Sequence, residues 1–174
     1  MPTLDTDMRQ RLLAVAGTVA DTYLQVDITA QTLALVEQAD IAKTYPVSTS
    51  KFGAGNQEGS FKTPLGIHRI TEKIGAGLPP GRILKSRKDT GQDWDKTVSE
   101  QNLILSRILR LEGLEPGVNS GPRIDSHQRY IYIHGTNQEH LIGTPASHGC
   151  VVMKNADILD LFDRVTEGAI VIIS

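Results

Sequence analysis

The strongest constraint on the fold is a succession of short apolar stretches that alternate with period two and are cut apart by turn residues. Tyr23 to Ile28 and Thr32 to Val36 are two such runs, separated by the polar Thr29-Ala30-Gln31, and they predict a β-hairpin. Ile41 to Val47 follows; Pro46 makes it an edge strand or a strand end, because proline has no N–H to give to a ladder. In Arg129 to His134 the alternation sets Ile131 and Ile133 against Tyr130, Tyr132 and His134, so a histidine is delivered to the polar side. Leu103 to Leu111 fits helix and strand almost equally, with strand favoured, and Ala169 to Ile173 closes the chain as a buried strand. Two segments carry the helical period instead. Met8, Leu12, Val15 and Val19 form one stripe within an amphipathic helix over residues 1–21, and Ile158, Leu159, Leu161, Phe162 and Val165 form another, with Asn155 as its cap and Gly168 as its stop. Thr97-Val98-Ser99-Glu100 has the form of a capping box. The expectation is a mainly β domain with a few helices.

A chain of 174 residues is sized for one such domain, here residues 22–174 behind the leading helix. Lys51 to Ser60 and Glu112 to Ser120 are rich in loop formers, and Thr63-Pro64-Leu65-Gly66 is a turn leading into Ile67 to Thr71. Residues 74–96 have no sustained period and are expected to be an insertion. Eighteen Lys plus Arg against twenty Asp plus Glu leave a formal charge of −2, too balanced for nucleic acid or an anionic membrane to be the main partner. No apolar run reaches the roughly 18 residues of a membrane span. Arg9-Gln10-Arg11 followed by Leu12 to Ala20 has the crude shape of an export signal, but Asp5 and Asp7 cancel the arginines and the helical stripe runs through it. A surface helix of a cytoplasmic protein is the expectation.

The chain has one cysteine, Cys150, which excludes an internal disulfide and any C-x-x-C motif. Four of the five histidines share residues 127 to 150 with it. A thiol attacks only as thiolate and needs a base, which histidine supplies; a glycine just before it permits a tight turn whose N–H groups can meet an oxyanion. His134-Gly135 and Ser147-His148-Gly149-Cys150 therefore hold the parts of an acyl-transfer site.

These residues resemble the active-site motif of the L,D-transpeptidase family, the YkuD-type catalytic domain. Tyr45-Pro46-Val47-Ser48-Thr49-Ser50, Lys62-Thr63-Pro64-Leu65-Gly66 and Tyr130-Ile131-Tyr132-Ile133-His134-Gly135-Thr136 look like family segments in the expected order, so the resemblance spans about residues 22 to 174. It implies a β-sandwich-like fold, Cys150 as nucleophile and His134 as its proton acceptor and donor. Ser147, His148 and Gly149 would shape the nucleophile loop and oxyanion site, and the Gly135 backbone would orient His134. It also implies attack on the bond between the third stem residue of a peptidoglycan peptide and the following D-alanine, through a thioester to Cys, with water or a second peptide's amine as acceptor. Carbapenem sensitivity would follow; no metal or organic cofactor is implied. Trimming of tetrapeptide to tripeptide in muropeptide recycling is the expected reaction for a cytoplasmic enzyme. An exported cross-linking transpeptidase and a non-catalytic muropeptide-binding module are the alternatives. Val152 departs from the family, which commonly has Arg or Asn two residues after the cysteine.

Blander readings compete at each position. Cys150 alone could be a core thiol, and His148 a purely structural hydrogen-bonder. His127 and His140 have polar neighbours and are expected in solvated loops. A zinc site from His134, His148 and Cys150 has suitable ligands but no standard spacing. Arg107, Arg110, Arg123 and Arg129 could meet muropeptide carboxylates, although scattered arginines are usually a solvated face. Nothing in the sequence bears on the oligomeric state.

Overall fold

In the computed structural model, which describes residues 4–174, the alternating runs become ten strands and the two helical stripes become two helices. Helix α1 spans Thr6–Ala16 and strands β1 (Thr22–Asp27), β2 (Thr32–Glu37) and β3 (Asp40–Pro46) follow. Strand β4 is Gly66–Ile74, β5 Arg82–Lys85, β6 Lys88–Asp93 and β7 Ile104–Gly113. The chain ends with β8 (Tyr132–Thr136), β9 (Val151–Met153), α2 (Asn155–Arg164) and β10 (Ile170–Ile173). The hydrogen-bonded order is β3-β2-β1-β10-β4-β7-β5-β6, with β8 antiparallel to β7 and β9 parallel to β8. β3 is the edge strand that Pro46 predicts, and β10, last in sequence, lies parallel to β1 and antiparallel to β4. The sheet is mixed and the fold mainly β.

Alternation decides which way each strand faces. Leu24, Val26, Leu33, Leu35, Val171 and Ile173 turn into the main core, where Ile133, Val151, Met153 and the α2 residues Ile158, Leu161 and Phe162 meet them. The alternate positions Tyr23, Val36, Ile170 and Ile172 face outward and are covered by α1 through Leu12, which is 1% exposed. Burying one such leucine stabilises by about 1.5–3 kcal/mol. α1 is capped by Asp5, whose Oδ1 accepts from the Met8 N–H at 2.7 Å, and stopped by Gly17 in the left-handed region. Arg11 donates to both carboxylate oxygens of buried Glu115 at 2.9 and 3.1 Å, which ties the helix to the domain. The helix is shorter than the expected 1–21, whose first three positions lie outside the described residues; Val19 still packs against it from the following turn.

Several expectations are corrected. Residues 74–96, expected as an insertion without a sustained period, carry the β5–β6 hairpin, which extends the sheet through β5 on β7. Its signal is missing because all six residues of β6 are exposed and show no apolar alternation. Thr97-Val98-Ser99-Glu100 starts no helix; Asn137 instead donates to Ser99 Oγ and the Gln101 carbonyl, holding the segment as a loop. The N-cap of α2 is Lys154, and the Asn155 side chain is drawn into the core of the site instead. The helix ends at Arg164 with Val165 as C-cap, and Gly168 belongs to the turn before β10. Tyr130 lies outside β8 with a positive φ of 56°, and it is 55% exposed.

Candidate active site

Strand β8 positions His134. With Ile133 in the main core, Tyr132 and His134 point to the opposite face, where Tyr132 packs with Leu84, Ile108 and Cys150. The imidazole is 3% exposed, and its Nδ1 lies 2.7 Å from the Gly135 carbonyl oxygen. A carbonyl only accepts, so Nδ1 carries the proton and Nε2 presents a lone pair. Burial lowers the His134 pKa to about 4 against the opposing pull of the Gly135 carbonyl, so the ring is neutral at pH 7. Glycine is required at 135 because a Cβ there would lie 2.6 Å from both the Leu105 carbonyl oxygen and Asn155 Oδ1. Asn155 in turn accepts from Ser106 Oγ at 2.7 Å and donates to the Thr136 carbonyl at 2.8 Å, bracing β8 against the bulged β7.

The cysteine turn is held from two sides. Within it, Ser147 Oγ donates to the Cys150 carbonyl at 2.7 Å and accepts from the Gly149 N–H at 3.2 Å. Gly149 has φ 126°, open to glycine and strained for other residues. From outside, Thr63 Oγ1 donates to the Gly149 carbonyl at 3.0 Å, the Ser147 N–H donates to the Thr49 carbonyl, and Ser48 and Val152 exchange N–H···O bonds of 2.8 Å each. The distant segments Val47–Ser50 and Lys62–Thr63 thus form the cradle of Ser147–Cys150. Among the described residues, the N–H groups of His148 and Cys150 have no partner within the chain, which leaves them as donors for an oxyanion, whereas that of Gly149 is engaged.

Parallel pairing of β8 with β9 brings the two segments together, with His134 opposite Val152, two residues beyond the thiol. Cys150 Sγ accepts from the Tyr132 N–H at 3.3 Å and donates to the Tyr130 carbonyl at 3.5 Å. Burial pushes the thiol pKa up to about 11, more than the Tyr132 N–H and the Arg129 charge pull it down. Cys150 and His134 are therefore both uncharged at rest.

His148 lies elsewhere. It is exposed, with its ring edge-on to Phe52 at 5.8 Å and Phe61 at 5.9 Å, and it borders two clefts. One, of about 510 Å³, is also lined by Lys51, Glu100, Asn102 and Gln138; the other, of about 230 Å³, by Glu58, Phe61, Arg129 and Tyr130. Val152 is buried, 3% exposed, and faces a small void shared with Ser48, Asn102 and Thr136. Of the other candidates, His140 is exposed on a 3-10 turn (Glu139–Leu141) and His127 is half-buried. Arg129 is tied to the carbonyls of Gly55 and Lys62, and Arg107 to those of Leu78 and Ser106. Among the described residues, no three His, Cys, Asp or Glu side chains are grouped to hold a metal ion, and no helix is long and apolar enough to cross a membrane. The sequence marks Tyr130, Tyr132 and Thr63 only as members of strand, turn or family-like segments and Asn155 only as a helix cap, because their contacts at the site use backbone groups or join segments distant along the chain.

Comparison with known proteins agrees with this arrangement. The family model of the L,D-transpeptidase catalytic domain (YkuD) matches residues 21–173. The fold is similar to that of an L,D-transpeptidase from Mycobacterium smegmatis (TM-score 0.54, 18% identity, 90% of this chain and 60% of that one). It is similar to a mutant L,D-transpeptidase from Enterococcus faecium (TM-score 0.56, 16% identity, 90% and 50%) and to an L,D-transpeptidase in complex with imipenem (TM-score 0.54, 19% identity, 90% and 60%). Among curated proteins, a stretch of 92 residues is 29% identical to the large ribosomal subunit protein uL3 of Burkholderia mallei, covering 49% of this chain and 42% of that protein. The chain spans less than two thirds of each of these proteins. The ribosomal similarity covers about half of the chain, at 49%, while the family match runs through β1 to β10 and includes both the cysteine turn and the His134 strand. The chain belongs to the L,D-transpeptidase (YkuD) catalytic domain family.

Proposed function

We propose that this chain transfers acyl groups on peptidoglycan stem peptides with Cys150 as nucleophile and His134 as its base, and that water is its principal acceptor. The observation that carries the reading is the pairing of β8 with β9, which sets a buried neutral imidazole, oriented by the Gly135 carbonyl, on the same face as the lone thiol. Sγ attacks the carbonyl of the third stem residue, the proton passes to Nε2 and then to the departing D-alanine nitrogen, and water resolves the thioester with the same imidazole as base. The N–H groups of His148 and Cys150 are the donors assigned to the oxyanion. The reading takes the cytoplasm as the place of action, where recycled stem peptides are the available substrates and water the more available acceptor.

Incubation with a disaccharide tetrapeptide tests the reading. Loss of one alanine by mass is the expected outcome, absent in Cys150→Ala; cross-linked dimers as main product would overturn the choice of acceptor. The two clefts that meet at His148 favour cross-linking as the second reading, because that reaction must seat two peptides. Export of a reporter fused to residues 1–30 would overturn the cytoplasmic placement.

A further inference from the structure

We infer that Arg87 and Arg110 form, with Tyr130 and Tyr132, an anion subsite beside the thiol that takes the free C-terminal carboxylate of the peptide being cleaved. The inference rests on the stem-peptide reading for the ligand and on independent geometry for the site. The two backbone groups that touch Cys150 Sγ belong to Tyr130 and Tyr132, and the side chains of these same tyrosines hold the arginines. The guanidinium groups of Arg87 and Arg110 lie against the Tyr130 ring, at 5.3 and 5.6 Å from its centroid. Arg87 Nη1 also donates to the Tyr132 hydroxyl at 3.0 Å.

These charges are not balanced within the chain. Arg110 pairs with Glu72 at 3.2 Å, but its Nε is buried with no hydrogen-bond partner. Among the described residues, Arg87 has no carboxylate within ion-pair distance. One positive charge is left over, and a buried donor with nothing to meet is costly unless a ligand supplies the acceptor. Arg87 is presented by the β5–β6 turn, whose two residues Ser86 and Arg87 have φ of 48° and 63°. Glycine or asparagine is the ordinary choice there, so the turn keeps an arginine at a position that favours neither its backbone nor its charge. The hairpin is thereby latched over the face that carries Tyr132, His134 and Cys150.

A planar, bidentate partner suits a guanidinium best, and a carboxylate is such a group. In a peptide whose last residue departs, the terminal carboxylate lies one residue, about 3.5 Å of chain, from the attacked carbonyl. Tyr130 and Tyr132 link the two ends, since their backbone groups touch Sγ and their side chains hold the arginines. Recognition of this group restricts cleavage to peptides with a free C-terminus.

Cys150 is the only cysteine, so alkylation by iodoacetate and by iodoacetamide, followed by intact mass, reads the subsite without any substrate. Arg87→Met is expected to slow iodoacetate at least about fivefold while iodoacetamide changes less than twofold. Equal changes for both reagents, or none, would overturn the subsite. Arg87→Gln, which can still lie on Tyr130, replaces Arg87→Met if that variant melts early. In a second arm, a tetrapeptide with a free C-terminus should be cleaved at least about tenfold faster than its C-terminal amide, with the preference lost in Arg87→Met. Equal cleavage of acid and amide by the wild type refutes the carboxylate assignment and leaves the stem-peptide reading standing. No cleavage of either, with the iodoacetate preference intact, supports the anion subsite and refutes the stem-peptide reading.

Discussion

A histidine that acts as base at rest neutral and buried should leave its mark on the pH dependence of acylation. The perturbation is a fall from pH 7.5 to 5.5. For an imidazole at the ordinary value of about 6.5, the neutral fraction would drop about tenfold across that interval. His134 is lowered to about 4 by its burial, so it remains almost entirely neutral at pH 5.5. The second-order rate constant for carbapenem acylation of Cys150, followed by intact mass or rapid mixing, should therefore change by no more than about 1.1-fold. Circular dichroism at each pH shows that the fold is retained. His134→Gln should reduce the same rate by about 10²–10⁴, since the thiol held near 11 then has no base. A tenfold loss of wild-type rate at pH 5.5 would refute the reasoning, because it would place the essential base in solvent.

Other consequences follow from the same structure. His68 is fully buried, with Nδ1 on the Gly66 carbonyl and Nε2 on Ser126 Oγ, and burial lowers its pKa to about 4. The unfolded chain binds this proton near pH 6.5 and the folded one does not, so the stability is complete above pH 6.5 and is lost as pH falls toward 4. The loss is about 2 kcal/mol at pH 5 relative to pH 8. Urea denaturation of His68→Gln should show a pH dependence shallower by that amount, and parallel curves would contradict it. Gly135→Ala must push a methyl into the Leu105 carbonyl and Asn155, which should cost about 1–3 kcal/mol and displace His134, seen as lost acylation in protein that still melts cooperatively. Arg11→Ala leaves the Glu115 carboxylate buried with the Ile67 N–H as its remaining partner, and should lower the urea midpoint by about 1–2 kcal/mol of stability. An unchanged midpoint would show α1 to be held by Leu12 and its apolar neighbours alone.

The legible part of the fold was the part in which local pattern and global packing agree. Leu24, Val26, Leu33 and Leu35 alternate in sequence because one face of their hairpin is buried, and the α2 stripe recurs at helical spacing because one side of it covers that core. Where burial is absent or two-sided the pattern fails. β6 has no buried residue and was invisible as a strand. β7 is buried on both faces over Leu105–Leu111 and fitted helix and strand alike. The Thr97–Glu100 motif has the residues of a capping box but is held as a loop by Asn137 and Gln138, which lie far along the chain. In the site, His134, Gly135 and Ser147–Cys150 stood out by residue type and spacing, and the structure shows the first two bound by a 2.7 Å contact within the motif itself.

By itself, then, the sequence determined the β-rich class, the edge strand, the two helical stripes and the cysteine and histidine motifs, because each depends on periodicity or on neighbours along the chain. Only the tertiary structure decided what surrounds the thiol. The Tyr130 carbonyl, the Tyr132 N–H, the Thr63 hydroxyl that holds the Gly149 carbonyl and the Arg87 guanidinium on the Tyr132 hydroxyl come from three separate segments of the chain, and two of the four act through backbone atoms. Their influence is electrostatic and falls steeply with distance, so it exists only once β8, β9 and the β5–β6 hairpin have folded onto one face.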